Sequence, residues 1–172
     1  EIWRDTQGRI TCFVAGLGTS GTSVGVSKRL REYNPQVRII GVAPDPSTPI
    51  QGLKNFQTQY VPRIWEPSSV DEIHYVTLKE AEEAARLLAL GEGIFVGPSS
   101  GAIFHIALKK AKELERGVMV VMAPDGGERY MSTTLCEPIQ CLECAQKYGV
   151  KCSYFDGKPI LKAPVQAIDI SP

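Results

Sequence analysis

The sequence predicts an α/β protein in which a parallel β-sheet is flanked by helices on both faces, giving three layers. Short unbroken apolar runs, such as residues 12–15 and 118–123, are typical of strands that are buried on both faces. These runs alternate with stretches whose apolar residues recur every three or four positions, as amphipathic helices require. Strands connected by helices in this order favour parallel pairing with right-handed connections.

The composition is that of one packed domain with a small appendage. The chain has 172 residues, of which 43% are hydrophobic and 22% are charged, and its formal net charge is zero. It contains no basic stripe and no apolar run of the ~18 residues that a membrane span needs. We therefore expect neither nucleic acid nor a membrane as a partner.

The first strand, residues 12–15, runs directly into a turn rich in glycine and hydroxyl groups, residues 16–22. Behind this turn Val26, Leu30 and Tyr33 recur at helical spacing among charged residues, which predicts an amphipathic helix. Strand, turn and helix therefore begin a βαβ unit.

The βαβ unit continues beyond the Asn-Pro pair at 34–35, which stops the helix, into a buried strand predicted over 37–43. The next segment, residues 44–67, holds five prolines and has no clear period, so we expect a long loop. Loops of this length in a compact domain are usually functional. A short strand is predicted over 73–76.

Two further helices and a last strand complete the predicted sheet. The first helix is expected to end at Gly91 and the second near Gly117. The last strand, 118–123, is the most apolar of the chain. The apolar positions that mark the two helices are Leu78, Ala81, Ala85 and Leu88 in the first and Ile103, Ala107, Ala111 and Leu114 in the second.

Three glycine-rich turns, residues 16–22, 97–101 and 124–127, fall where ligands of parallel sheets bind, outside the carboxyl ends of the strands. We therefore expect the three turns to converge on one ligand site. Two of them also have simpler explanations. Ser99 or Ser100 could merely cap a helix, and the turn 124–127 could merely lead out of a strand.

The first turn, residues 16–22, suits a phosphate group. Its glycines let the backbone approach an anion, and the free N–H groups and dipole of the following helix favour negative charge. Thr19, Ser20 and Thr22 add hydroxyl donors. The Gly-x-Gly-x-x-Gly spacing also fits a dinucleotide fingerprint, with Asp45 as an imperfect match for its acidic residue. A tight turn without any ligand is the remaining alternative.

Three motifs, in this order and spacing, resemble those of the cysteine synthases and cystathionine β-synthases. They are Gly-Thr-Ser-Gly-Thr at 18–22, Gly-Pro-Ser-Ser-Gly at 97–101 and Pro-Asp-Gly-Gly-Glu-Arg-Tyr-Met-Ser-Thr at 124–133. Residues 48–56 and 60–62 are most similar to the cysteine synthase B branch. The resemblance implies the large domain of the fold-type II, tryptophan synthase β-like enzymes over residues 1–135. It leaves residues 136–172 as a cysteine-containing extension.

The resemblance also implies roles for individual residues. The phosphate of pyridoxal 5′-phosphate (PLP) would be held by Gly18, Thr19, Ser20, Gly21 and Thr22. Ser99 would place its hydroxyl on the pyridine nitrogen, and Asp125 would line the far edge of the ring. Gln51 and Gly52 would shape the substrate pocket. Lys54 would face an anionic leaving group, although a surface charge is the simpler explanation of this lysine.

The implied reaction is the replacement of the leaving group of O-acetylserine or O-phosphoserine by a sulfur nucleophile, which gives L-cysteine. In this family a lysine forms the Schiff base with PLP and acts as general acid and base. It lies in an N-terminal segment that has no counterpart here, and the chain starts at Glu1. We therefore expect a fragment that lacks the catalytic lysine, is inactive alone and needs the N-terminal half of the enzyme. The complete enzyme is expected to be a homodimer that binds an amino acid substrate.

Three other functions stay open, one of which is the dinucleotide-binding domain that the Gly-x-Gly-x-x-Gly spacing allows. The chain could come from another fold-type II enzyme, such as a serine or threonine dehydratase or a threonine synthase. It could also be a non-catalytic sensor of a phosphorylated ligand or a partner-binding domain, because a missing catalytic lysine permits either role.

The five cysteines indicate a reducing compartment, since an odd number argues against a secreted disulfide scaffold. We expect a cytoplasmic location and a buried thiol at Cys12. A zinc ion or an iron–sulfur cluster could be bound near the end of the chain, although the spacing fits no known framework and metal-free thiols are the simpler explanation. The candidate metal ligands are Cys136, Cys141, Cys144 and Cys152. His74 and His105 are expected to be structural or surface residues.

Overall fold

The computed structural model of the chain describes residues 1–136 and shows a four-stranded, wholly parallel sheet. The strands are β1 (Ile10–Gly16), β2 (Arg38–Pro44), β3 (Glu72–Val76) and β4 (Val118–Val121), and they lie in the order β3, β2, β1, β4. The helices are α1 (Ile2–Asp5), α2 (Gly21–Tyr33), α3 (Leu78–Glu92) and α4 (Pro98–Ala111). Short 3₁₀ turns occupy Pro67–Ser69, Gly127–Tyr130 and Thr134–Cys136.

Helices cover both faces of the sheet, so the predicted three-layer α/β fold is confirmed. Val14 of β1 packs in a core cluster with Ile103 of α4 on one face. Phe13, its neighbour in sequence, packs with Leu30 of α2 on the other face. Because successive residues of a strand point to opposite faces, burial on both sides explains why the strands are unbroken apolar runs.

The topology brings the expected turns to one edge of the sheet. β1 lies between β2 and β4, and all three strands run in the same direction. In this register Gly16 lies opposite Val42, and Val14 lies opposite Val121. The segments that follow β1 and β4 therefore leave the sheet at the same edge, which we call the carboxyl edge.

The apolar face of α2 differs from the one that the sequence predicts. Tyr33 is 47% exposed and stacks on the ring of Trp3 with the ring centroids 4.9 Å apart. Val26 is only partly buried, whereas Ser23 and Ser27 are fully buried. Small serines let the helix lie close to the sheet, and a search for large apolar residues at helical spacing does not detect them.

The ends of α3 and α4 also differ from the prediction. α3 continues through Gly91 and ends at Glu92, because Gly93, at φ 70°, adopts the left-handed conformation that closes a helix. α4 ends at Ala111, so Leu114 lies outside it. The start of α3 has the full capping box, in which Thr77 and Glu80 exchange hydrogen bonds. The long loop is confirmed, since no helix or strand is found between Pro44 and Pro67.

None of the helices in residues 1–136 has the length and apolar character that crossing a membrane requires. The division at 135/136 stays a prediction, because all but the first residue of the proposed extension lies outside the described residues.

Candidate functional site

A cleft of about 180 Å³ opens at the carboxyl edge of the sheet. The turn after β1 forms one wall of it, and the long loop and the segment after β4 form the others. The residues that line it are Ala15, Gly16, Gly18, Thr19, Ser20, Thr22, Gly52, Leu53, Met122 and Pro124. The cleft therefore contains four of the five residues predicted to hold a phosphate.

Ser20 has two unusual features at the start of α2. Its φ of 69° lies in the left-handed region that residues other than glycine rarely adopt. Its side chain is 3% exposed, and Ser20 Oγ has no hydrogen-bond partner within the described residues. The Oγ does not cap α2, and the first N–H groups of a helix have no partners within the helix. Buried polar groups are nearly always paired, so this arrangement indicates a place for a hydrogen-bonding ligand.

Two glycines allow the phosphate turn and the long loop to touch. A Cβ added to Gly18 would lie 2.7 Å from the carbonyl oxygen of Gly52, which is closer than real contacts allow. Gly52 has a φ of 89°, which favours glycine. The Lys54 N–H donates to the Leu17 carbonyl at 2.6 Å and fixes the two segments side by side. The loop that the resemblance assigned to the substrate therefore does border the cleft.

Ser99 connects the long loop with the turn after β4. A Cβ on Gly52 would lie 3.5 Å from Ser99 Oγ, and Ser99 Oγ donates to Asp125 Oδ1 at 3.3 Å. The Gly97 N–H and the Ser100 hydroxyl donate to the Asp125 carbonyl oxygen at 3.2 and 3.4 Å. The start of α4 is thereby fastened to the third turn. The first and third turns line the cleft together with the long loop, whereas none of residues 97–101 does.

Tyr130 is a further site residue that the sequence did not reveal. Its hydroxyl donates to Asp125 Oδ2, and its ring is 5% exposed. Burial, followed by the hydrogen bond to Asp125 and the charge of that carboxylate, raises the pKa of Tyr130 to about 12. The hydroxyl thus stays a hydrogen-bond donor at neutral pH. The tyrosine lies inside the third motif, but its sequence position does not indicate which partner it has.

The remaining predicted residues differ in their exposure and in whether they line the cleft. Thr19, Gly21 and Thr22 are exposed, as is Gln51, and Lys54 is partly buried. Lys54 does not line the cleft, and neither does any other lysine of residues 1–136. The contact between Lys54 and a leaving group therefore stays a prediction.

The cysteines and histidines of residues 1–136 form no metal-binding group with acidic residues. Burial raises the pKa of the Cys12 thiol to about 11, and Cys136 is an exposed free thiol. His74 Nε2 lies 2.6 Å from Glu72, and His105 Nε2 lies 3.6 Å from Glu80. The other predicted metal ligands, Cys141, Cys144 and Cys152, lie outside the described residues, so the metal site stays a prediction.

The fold and the cleft define an α/β protein that is suited to bind a small ligand at the carboxyl edge of its sheet. A family model described as pyridoxal-phosphate dependent enzyme matches residues 1–125. The chain therefore belongs to the family of pyridoxal-phosphate dependent enzymes.

Individual relatives show which enzymes of this family the chain resembles. The chain is 45% identical over 140 residues to a cysteine synthase of Aquifex aeolicus. This match covers 78% of this chain and 43% of the relative. It is also 44% identical over 133 residues to cysteine synthase B of Escherichia coli. This match covers 77% of this chain and 44% of the relative. The resemblance to cysteine synthases is thus confirmed.

Solved structures give the same result. The crystal structure of a cysteine synthase from Entamoeba histolytica superposes with a TM-score of 0.76 at 35% identity, over 81% of this chain and 44% of that one. An O-ureido-L-serine synthase superposes with a TM-score of 0.73 at 36% identity, over 81% of this chain and 47% of that one. The chain thus spans less than half the length of each of these four relatives.

Proposed function

We propose that this chain supplies the PLP-binding half of a cysteine synthase, which replaces the leaving group of O-acetylserine or O-phosphoserine by a sulfur nucleophile to give L-cysteine. When bound, PLP supplies the electron-withdrawing ring that such a replacement requires. Similarity to cysteine synthases supports the proposal. The structural observation on which it rests is the buried Ser20 Oγ, which has no hydrogen-bond partner within the described residues.

The phosphate fits the turn at the start of α2. Ser20 would donate its free hydroxyl, and Thr19 and Thr22 would add donors from the rim of the cleft. The backbone amides of Gly21 and its neighbours need an acceptor that the helix does not provide. Gly18 has no side chain, which lets the Gly52 carbonyl approach the turn. These donors are neutral, so the helix dipole and the hydrogen bonds would together offset the charge of the phosphate.

The pyridine ring would extend from the phosphate turn toward the start of α4, with Gly52 beside it. Ser99 would meet the ring nitrogen, and Asp125 would lie behind Ser99 along the far edge of the ring. A Cβ on Gly52 would already be in van der Waals contact with Ser99, so the ring would lie beside Gly52 and not between the two residues. The ring would then lie between the two turns that hold it, with its phosphate at the third.

The amino acid substrate would enter on the side of the long loop. Gln51 is exposed next to Gly52, so its amide is free to bind the substrate. Lys54 would attract an anionic leaving group, acetate or phosphate. The lysine that forms the Schiff base would come from the N-terminal half of the enzyme, and we expect this complete enzyme to act as a cytoplasmic homodimer.

A titration with pyridoxine 5′-phosphate tests the cofactor site. The test needs no Schiff-base lysine, because this analogue has no aldehyde and binds non-covalently. We expect Ser20→Ala to weaken its binding about tenfold, since one hydrogen bond to a charged group is lost. Binding of unphosphorylated pyridoxine should not change. Protein fluorescence measures both affinities.

Ser27→Ala is the matched control. Ser27 is also a buried serine of α2, but its hydroxyl already donates to the Val24 carbonyl at 3.0 Å. The Ser27→Ala substitution should leave the affinity for pyridoxine 5′-phosphate unchanged. Equal affinities of the wild type and Ser20→Ala would contradict the phosphate assignment.

A second experiment separates an enzyme from a sensor. The complete polypeptide, with its N-terminal half, should form cysteine from O-acetylserine and sulfide, whereas the present chain should not. Binding of pyridoxine 5′-phosphate by a complete polypeptide that forms no cysteine would favour the sensor.

A further inference from the structure

A groove of about 380 Å³ lies between helix α2 and the 3₁₀ turn Pro67–Ser69, and the proposed cofactor site makes no use of it. It shares no residue with the cleft at the carboxyl edge of the sheet. Its volume is that of a site for a small molecule. The residues that line it are Val24, Ser27, Lys28, Arg31 and Glu32 of α2 and Glu66, Ser68 and Ser69 of the facing segment.

Arg31 fixes the shape of this groove. Its guanidinium donates to the Ser68 carbonyl oxygen at 2.5 Å and to Asp71 Oδ1 at 2.8 Å. Asp71 Oδ2 in turn accepts from the Ile39 N–H at 2.6 Å, so the 3₁₀ turn is tied to α2 and to β2. Asp71 balances the charge of Arg31, which therefore holds the wall of the groove in place.

Lys28 and Glu66 line the same groove with opposite charges, and both are exposed. Within residues 1–136 neither side chain forms a hydrogen bond or an ion pair, whereas Glu32 is paired with Arg29. A ligand with one charge would satisfy either Lys28 or Glu66 and leave the other unpaired. Two opposite charges that face one groove without pairing are therefore complementary to a small molecule that carries both charges.

Ser69 adds an unsatisfied hydroxyl to the same wall. It is 5% exposed, and its Oγ is buried without a hydrogen-bond partner within the described residues. The Ser69 N–H is already used, because it donates to the Glu66 carbonyl oxygen at 2.9 Å. Buried hydroxyl groups are nearly always paired, so Ser69 indicates a missing hydrogen-bond partner independently of the two charges. A carboxylate oxygen is the stronger kind of acceptor for such a hydroxyl.

We propose that this groove binds a free α-amino acid, with the carboxylate at Lys28 and Ser69 and the ammonium group at Glu66. An α-amino acid carries both charges on groups attached to a single carbon atom, so it can bridge two side chains that do not reach each other. The site goes beyond the proposed function, since it contains none of the residues assigned to the cofactor or to the substrate. It would be a second amino acid site on the molecule.

An NMR titration of the full chain with L-alanine tests this site, because the amide signals both locate the ligand and measure its affinity. We expect saturable shifts at Lys28, Ser68 and Ser69 and none at the phosphate turn, residues 18–22. L-Lactate lacks the ammonium group and L-alaninamide lacks the carboxylate. Each should bind at least tenfold more weakly than L-alanine, because each loses a hydrogen bond between charged groups.

Substitutions of the two exposed charges separate the two ends of the ligand. Lys28→Met and Glu66→Gln should each lower the affinity for L-alanine about tenfold. Lys28→Met should leave the weak binding of L-alaninamide unchanged, and Glu66→Gln should leave that of L-lactate unchanged, because the group that each variant would bind is absent from that ligand. Ser69→Ala should give a smaller decrease in the affinity for L-alanine.

Lys112→Met and Glu92→Gln are the matched controls. Both residues are exposed, and neither side chain is paired within residues 1–136. They lie outside the groove, so their substitution should leave the affinity for L-alanine unchanged. Saturation with pyridoxine 5′-phosphate should also leave it unchanged, because the cleft and the groove share no residue.

Three results would overturn the inference. Equal affinities for L-alanine and L-lactate would show a site for simple carboxylates. Shifts confined to residues 18–22 would place the amino acid in the cleft, and an absence of saturable shifts would show that the groove binds no amino acid. The proposed function is tested separately, since a chain that binds pyridoxine 5′-phosphate but not L-alanine contradicts this inference alone.

Discussion

The two edges of the sheet differ in where strained backbone and unpaired polar groups occur. At the carboxyl edge, Ser20 combines a left-handed backbone with a buried Oγ that has no hydrogen-bond partner within the described residues. At the amino edge, the two features belong to separate residues, Gln7 with a φ of 53° and Ser69 with a buried, unpaired Oγ. Charged side chains at this edge pair with one another. Glu72 at the start of β3 forms ion pairs with Arg38 at 2.6 Å and with Lys110, at the end of α4, at 3.2 Å.

The combination at Ser20, which lines the cleft, favours the carboxyl edge as the one organised for the proposed cofactor. Strain and unpaired polar groups cost free energy, and proteins retain them mainly where they contribute to binding or catalysis. Paired surface charges contribute little to binding and modestly to stability. We therefore expect substitutions of residues that line the cleft to change binding, and substitutions of the paired charges at the amino edge to change stability alone.

The largest expected effect is that of Gly101→Ala, which tests how closely α4 is held at the carboxyl edge. A Cβ on Gly101 would lie 2.0 Å from the Ala81 carbonyl oxygen and 2.8 Å from the Ala85 Cβ. Both atoms belong to the rigid helix α3, so the helices must separate. We expect a loss of about 3 kcal/mol in the free energy of unfolding, measured with urea.

Gly25→Ala is the control for this substitution. Gly25 also lies within a helix, but a Cβ there meets no atom within 4 Å. The helix propensity of alanine should then stabilise the chain by about 0.5–1 kcal/mol. A loss from Gly25→Ala equal to that from Gly101→Ala would show that the effect does not come from the α3–α4 contact.

The next effect concerns binding, and it tests the contact between the phosphate turn and the long loop. Gly18→Ala places a methyl group against the Gly52 carbonyl, which must move away. Because Gly52 borders the cleft, we expect the affinity for pyridoxine 5′-phosphate to fall at least tenfold, or about 1.4 kcal/mol. Gly21→Ala, at a site where a Cβ meets no atom within 4 Å, should reduce the affinity much less.

The carboxyl edge could be predicted largely from the sequence, because its features are local. Each turn shows its own glycines and hydroxyl residues, and a parallel sheet brings such turns together. Gly18, Ser20 and Ser99 all lie in turns that were predicted in this way. The strained backbone of Ser20 could not be predicted, since a serine in a turn gives no sign of a positive φ.

Contacts between distant segments were harder to predict. The bond between Tyr130 and Asp125 depends on the 3₁₀ turn that follows Gly126, and the sequence of that turn does not specify which side chain it directs inward. The same limitation explains the error in α2. Ser23 and Ser27 are buried because the sheet lies close to the helix, and this is a property of packing and not of the helix sequence.

The smallest effect is expected at the amino edge, from Glu72→Gln. Partial burial disfavours the charge of Glu72, but hydrogen bonds from His74 and Lys110 and the charge of Arg38 outweigh it, and the pKa of Glu72 is lowered. A lowered carboxylate pKa stabilises the fold above the unfolded value near 4.5, and this stability is lost as pH falls through the folded value. The wild type should therefore lose stability on acidification below about pH 5 more steeply than the variant.

At pH 7 we expect Glu72→Gln to lower the free energy of unfolding by less than about 1 kcal/mol, because solvent screens these ion pairs. Unfolding by urea at pH 7 measures this loss, and a second measurement at about pH 4 shows how steeply the stability of each protein falls with pH. The affinity for pyridoxine 5′-phosphate should stay that of the wild type. If this substitution weakened binding as much as Gly18→Ala does, the two edges would be coupled through the sheet, and the separation of binding from stability would be wrong.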